Sequence, residues 1–225
     1  MLFGREKEIR SLVLNLQKGA NTLVFGAQGV GKSSVLIEAA DRLTLEGAEV
    51  VYVHDCRSRR TLLEDALRTR RFSNERIREM QVKDLRDALL NSGKREPFCL
   101  ILDHLPKLHH PLQRLLEIME DRCVLAFGVT SLPVSFDLYY WKFKSLEIKD
   151  LSRKASLDWI SAELRTMGYP EVLRKRIAAE IFRLTGGNPG SISRTLSVIG
   201  RQTMPIDDPI RVGRMFLDGK ISRLI

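Results

Sequence analysis

Gly26-Ala27-Gln28-Gly29-Val30-Gly31-Lys32-Ser33 stands between an apolar run, Thr22 to Phe25, and a helix-forming run, Ser34 to Leu43. The spacing is that of a phosphate loop, and strand, loop, helix is the setting the motif requires. Gly26, Gly29 and Gly31 let the chain fold around a polyphosphate so that successive amides point inward, and the following helix adds its positive N-terminal end. Lys32 is expected against the β- and γ-phosphates of a nucleoside triphosphate. Ser33 is expected to offer its hydroxyl to the magnesium ion that bridges them. The predicted nucleotide-binding set is therefore Gly26, Ala27, Gln28, Gly29, Val30, Gly31, Lys32, Ser33 and Ser34.

Around this loop, 225 residues with 44% hydrophobic content are enough for one α/β domain with a small appendage, and too apolar for a disordered chain. No apolar stretch reaches bilayer length, and Met1 to Glu6 lacks the apolar core of a signal peptide, so the expected compartment is the cytoplasm, with no membrane contact. Cys56, Cys99 and Cys123 have no metal-ligand spacing and are expected as reduced core thiols. A net charge of +9 raises attraction to nucleic acid or an anionic surface. Arg57, Arg59, Arg60, Arg68, Arg70, Arg71, Arg76 and Arg78 crowd one segment. They read either as a solvated helical face or as a surface for the phosphates of duplex DNA.

Ile9, Leu12, Val13 and Leu16 have helical spacing and predict a helix before the first strand. Further strands are expected at Glu49 to His54, Phe98 to Leu102, Cys123 to Gly128 and around Ser145 to Ile148. Helices are expected over Thr61 to Leu67, Glu75 to Leu90 and Pro111 to Asp121. Strands alternating with helices predict a doubly wound parallel sheet with its chemistry at the carboxyl ends of the strands. Beyond Lys149 the pattern is helical only. Ser152 caps a helix to about Met167, Pro170 opens another through Phe182, and Gly186-Gly187-Asn188-Pro189 ends it before a third near Gly190. The expected divisions are an α/β domain over residues 1–149, a helical lid over 150–203 and a tail over 204–225.

A phosphate loop needs a carboxylate for the magnesium shell, and Asp103 supplies one at the end of an apolar strand. His104 follows it, where an imidazole would act as general base for water or bond the loop and pack against Pro106. His109 and His110 read as surface or cap residues. Thr130 and Ser131 end the next strand, where one hydroxyl would hold the lytic water or sense the γ-phosphate. The predicted catalytic set is Lys32, Asp103, His104 and Thr130, with Ser33 and Asp103 on the metal.

With these residues in place, the chain resembles the AAA+ and STAND branch of P-loop NTPases, above all the archaeal-type and origin-recognition-type ATPases. The carriers are Phe3-Gly4-Arg5-Glu6-Lys7-Glu8-Ile9, the loop from Gly26, Asp103, Thr130-Ser131 and Gly187-Asn188-Pro189. The resemblance implies five strands ordered 5-1-4-3-2, ATP and Mg2+ as cofactors, Arg5 among residues bordering the adenine, and Pro189 bringing the lid to the nucleotide. It also implies oligomers that form with nucleotide. Two positions depart from the family pattern: His104 stands where an acid is usual, implying slow hydrolysis, and Gly190 stands where sensor-bearing relatives carry arginine. Two functions follow as expectations. One is an ATPase switch assembling on DNA as a transposition or replication helper. The other is a STAND-like switch whose ATP or ADP state controls a protein partner.

Overall fold

The computed structural model describes residues 3–56, 58–105, 110–130, 142–201 and 212–213. Arg57, Pro106, His109 and Ser131 lie outside them, as does the side chain of His110. The chain divides into two compact units. One, the sheet unit, comprises residues 7–27 and 32–148; the other, the helical unit, comprises residues 3–6, 28–31 and the chain from 149 onward.

In the sheet unit the strands are β1 (Thr22–Phe25), β2 (Val50–Val53), β3 (Phe98–Leu102), β4 (Cys123–Val129) and β5 (Lys144–Glu147). They form one parallel sheet in the order β2-β3-β4-β1-β5, as the family resemblance implies. Every residue of β3 is buried, because helices cover both faces of a parallel sheet. β4 lies between β1 and β3, with Val129 beside Phe25 and Phe127 beside Leu102. That register brings three strand ends to one edge, and each is followed at once by Gly26, Asp103 or Thr130.

The helices here are α1 (Glu6–Gln17), α2 (Lys32–Leu45), α3 (Arg59–Thr69), α4 (Asn74–Glu79), α5 (Val82–Arg95) and α6 (His110–Glu120). α1 buries Ile9, Leu12, Val13 and Leu16, the face its spacing predicts. The single helix expected over Glu75 to Leu90 is two. Met80 takes an extended conformation, and the Asp84 carboxylate accepts from the Gln81 backbone N–H, so a capped helix start interrupts the periodic pattern. Leu62, Leu67, Leu85, Leu100, Leu116 and Phe127 join these layers in one core. Each such side chain, fully buried, stabilises the fold by roughly 1.5–3 kcal/mol.

The helical unit has α7 (Arg153–Thr166), α8 (Glu171–Thr185) and α9 (Pro189–Gly200) around Ile160, Leu164, Ile177, Ile181, Ile192 and Leu196. The Ser152 side chain accepts from Ala155 N–H and caps α7. Gly186 ends α8 at φ 61°, a conformation costly for residues with a Cβ. Asn188 then caps α9, with Pro189 in its first turn. Val212 is fully buried in the same core. Among the described residues, no helix is long and apolar enough to cross a membrane.

Candidate nucleotide site

In the sheet unit, β1 delivers Gly26 and α2 begins at Lys32. The Lys32 ammonium donates to the carbonyls of Gly26 at 2.8 Å and Ala27 at 3.0 Å. Burial holds its pKa below the ordinary lysine value, with the negative charge of Asp103 pulling the other way. Ser33 and Ser34 follow on the first turn, both half-buried. The Ser33 hydroxyl lies 3.4 Å from His104 Nε2.

Asp103 is buried, its side chain 2% exposed, and both oxygens are engaged. Oδ1 accepts from the His104 backbone N–H at 2.8 Å, and Oδ2 accepts from the Tyr52 hydroxyl at 2.9 Å. Tyr52 has its pKa raised by burial and then by the Asp103 charge and hydrogen bond, so it remains a donor. Sequence reasoning missed this partner. Its only signal is an aromatic residue on the strand next to the one Asp103 ends. Gly128 is a second omission. A Cβ there would stand 2.8 Å from Leu36 Cδ1 and 2.9 Å from Asp103 Oδ1, so only glycine leaves room for the carboxylate. The signal was a glycine inside an apolar strand, which marks close approach.

His104 adopts φ 51°. The left-handed turn sets its imidazole beside its own neighbour, with Nε2 3.5 Å from Asp103 Oδ2. His54, one residue past β2, meets it edge to face at 5.2 Å between ring centres. Thr130 is exposed at the end of β4.

The tip of the loop, residues 28–31, belongs to the helical unit. Asn188 Nδ2 donates to the Gln28 carbonyl at 3.2 Å and to Asp150 Oδ1 at 3.0 Å, while its Oδ1 accepts from Ser191 N–H. One side chain thus caps α9 and holds the loop tip. Gly190 N–H donates to the Gly29 carbonyl at 2.8 Å. A Cβ at Gly190 would lie 3.0 Å from Gly29 Cα, which gives the departure at this position a steric reason. Pro189 reaches the same tip, its Cγ 4.0 Å from where a Gly31 Cβ would stand. Arg5 is buried and donates to the carbonyls of Val30 at 2.7 Å and Lys149 at 2.6 Å. Its guanidinium therefore clamps backbone.

The arginine-rich segment is not uniform. Arg70 leaves the set proposed for DNA: its side chain is 5% exposed, paired with Glu49 and Glu96 and stacked on Phe98 at 4.6 Å. Arg60 pairs with Glu64, and Arg68 with Glu64 and Asp65. Arg59 and Arg71 are exposed. Arg59 also lines a cleft of about 820 Å³ with Lys83, Arg86, Arg114, Glu117, Leu63 and Leu115.

Comparison with known proteins agrees with this architecture. The Walker-type ATPase PABY2304 of Pyrococcus abyssi superposes with a TM-score of 0.67 at 17% identity, over 99% of this chain and 75% of that one. A replication initiator DnaA bound to AMPPCP and single-stranded DNA gives 0.61 at 16%, over 91% and 63%. The HORMA:CdnC:Trip13 complex of E. coli MS115-1 gives 0.65 at 11%, over 96% and 89%. This chain thus spans three quarters of the first and less than two thirds of the second. The chain has the fold of the AAA+ P-loop ATPases. More narrowly, residues 2–74 match the family model "Novel STAND NTPase 6", so the STAND resemblance rests on the segment that holds the phosphate loop. No curated protein matches the sequence.

Proposed function

We propose that this chain is an ATP-binding switch with ATPase activity. The observation that carries the reading is the pair of oxygen groups beside the loop: Ser33 in the first turn of α2 and the buried Asp103 just past β3, each within reach of His104 Nε2, at 3.4 and 3.5 Å. A hydroxyl and a carboxylate suit Mg2+, which takes one or two protein oxygens and fills its remaining positions with phosphate and water. Bound there, Mg2+ would neutralise charge on the phosphates. Lys32 would turn from the carbonyls of Gly26 and Ala27 to the β- and γ-phosphates. Gly26 to Ser34 would supply backbone amides, and Tyr52 would keep Asp103 aimed. His104 would accept the proton of the attacking water, and Thr130 would orient that water. Such catalysis is positioning plus charge stabilisation, with no covalent intermediate on the protein.

Asn188, Pro189 and Gly190 would relay the loop's state to α9. Arg5 would relay it to the chain at Lys149. The output would be assembly on duplex DNA, supported by the net charge of +9 and the exposed Arg59 and Arg71. A protein partner is the second reading. It is favoured by the cleft at Arg59, whose lining of apolar side chains with Arg59, Lys83, Arg86 and Arg114, against the single acid Glu117, suits an acidic segment better than a sugar-phosphate backbone.

Nucleotide binding by calorimetry, with light scattering in the presence and absence of Mg-ATP and duplex DNA, tests both levels. Wild-type protein should bind ATP, and Lys32→Ala should lose at least about a hundredfold in affinity, as expected for removing a charge-assisted phosphate contact in a partly buried site. Equal binding by both proteins would end the ATP reading. Assembly that needs ATP and DNA together supports the DNA output; indifference to DNA in both nucleotide states leaves the protein partner.

A further inference from the structure

Two imidazoles flank the buried carboxylate, and a magnesium site has no need of either. His54 Nδ1 lies 3.9 Å and His104 Nε2 3.5 Å from Asp103 Oδ2, and the three groups have ligand atoms that all fall within 4.8 Å of one another. Zinc-type bonds of about 2.0–2.1 Å at tetrahedral angles put ligand atoms about 3.3–3.4 Å apart. Both rings are exposed, 72% and 64% accessible, and would turn to close the trio to that spacing. Two nitrogens and one oxygen are the donors of a borderline transition ion, whereas Mg2+ takes oxygens and needs near-octahedral spacing. The outer shell is already in place. The Tyr52 hydroxyl and the His104 backbone N–H hold the carboxylate from two sides, the kind of contact that orients a ligating group.

We infer that His54, Asp103 and His104 form a binding site for a divalent transition ion of the zinc and cobalt class, filled without nucleotide. Ser33 borders the trio, its hydroxyl 3.4 Å from His104 Nε2. The site takes the carboxylate and imidazole that the proposed ATPase uses. Its occupation therefore competes with Mg2+ at Asp103 and removes His104 as a proton acceptor. The metal site itself does not depend on the ATPase reading.

The test is titration of the nucleotide-free 225-residue chain with Co2+, read by its visible ligand-field absorption. The expected result is one equivalent with a tetrahedral spectrum, displaced by stoichiometric Zn2+ and by Mg2+ only in large excess. His54→Gln and His104→Gln should each weaken binding by more than about tenfold, since even outer-shell changes cost that much. Lys32→Ala should keep the metal while losing ATP, which separates failure of this site from failure of the nucleotide reading. In wild-type protein, Co2+ should shift the ring-proton resonances of His54 and His104, a readout that needs no variant to fold. Absence of binding, binding unchanged in both histidine variants, or shifts confined to His109 and His110 would each overturn the assignment.

Discussion

Around Asp103, single atoms decide. Tyr52→Phe removes one hydrogen bond to a buried carboxylate and should lower stability by about 1.5–3 kcal/mol, measured by denaturant unfolding. ATP hydrolysis should fall more than ATP affinity, because the phenol acts through Asp103. Gly128→Ala forces a methyl between Leu36 and Asp103 and should cost about 1–3 kcal/mol. Its unfolding midpoint should drop together with hydrolysis, and an unchanged midpoint would mean that the strand accommodates the methyl. At this scale the sequence placed Lys32 and Ser33 at the start of α2 and Asp103 just past β3, where the structure has them. Tyr52, Gly128 and Asn188 act through neighbours distant in the chain, and local pattern carries no distance.

The elements were legible where periodicity and punctuation agreed. β1 and β3 fall where the apolar runs place them, and Ser152 caps α7 as a serine ahead of a periodic run should. The split between α4 and α5 was not legible, since a helical apolar pattern runs on through Met80 while Asp84 and Gln81 close a new helix start. The short turn before α9 is the element with most consequence. Asn188→Ala should cost about 0.5–2 kcal/mol as a lost cap, and it also frees the Gln28 carbonyl. Its ATP affinity should therefore fall beyond what the stability loss accounts for. Asn188→Ser, which keeps a cap and cannot span to Gln28, separates the two effects: stability returns and affinity does not.

The chain divides into two compact units, which can unfold in separate transitions. Cys56, Cys99 and Cys123 are all buried in the sheet unit. Burial pushes the thiols of Cys56 and Cys99 up to about 12 and raises Cys123 as well, so all three should be inert to thiol reagents at neutral pH until that unit opens. Trp159 lies in the helical unit and stacks near Phe3, with ring centres 6.4 Å apart. In a Trp141→Phe variant, its fluorescence should lose structure at a denaturant concentration different from the one that exposes the thiols. Coincident midpoints would mean that the two units unfold as one.

By itself the sequence determined the five strands, their class of sheet and the glycine-rich loop between β1 and α2, because hydrophobic period and glycine placement are local. Only the tertiary structure decided what each strand end faces. It turned Arg70 inward onto Phe98, set Arg5 on the carbonyls of Val30 and Lys149, and fitted Gly190 against Gly29. It also gathered His54, Asp103 and His104 from neighbouring strands. These pairings depend on strand order and close approach, and both arise only when residues dozens of positions apart exclude water from the same space.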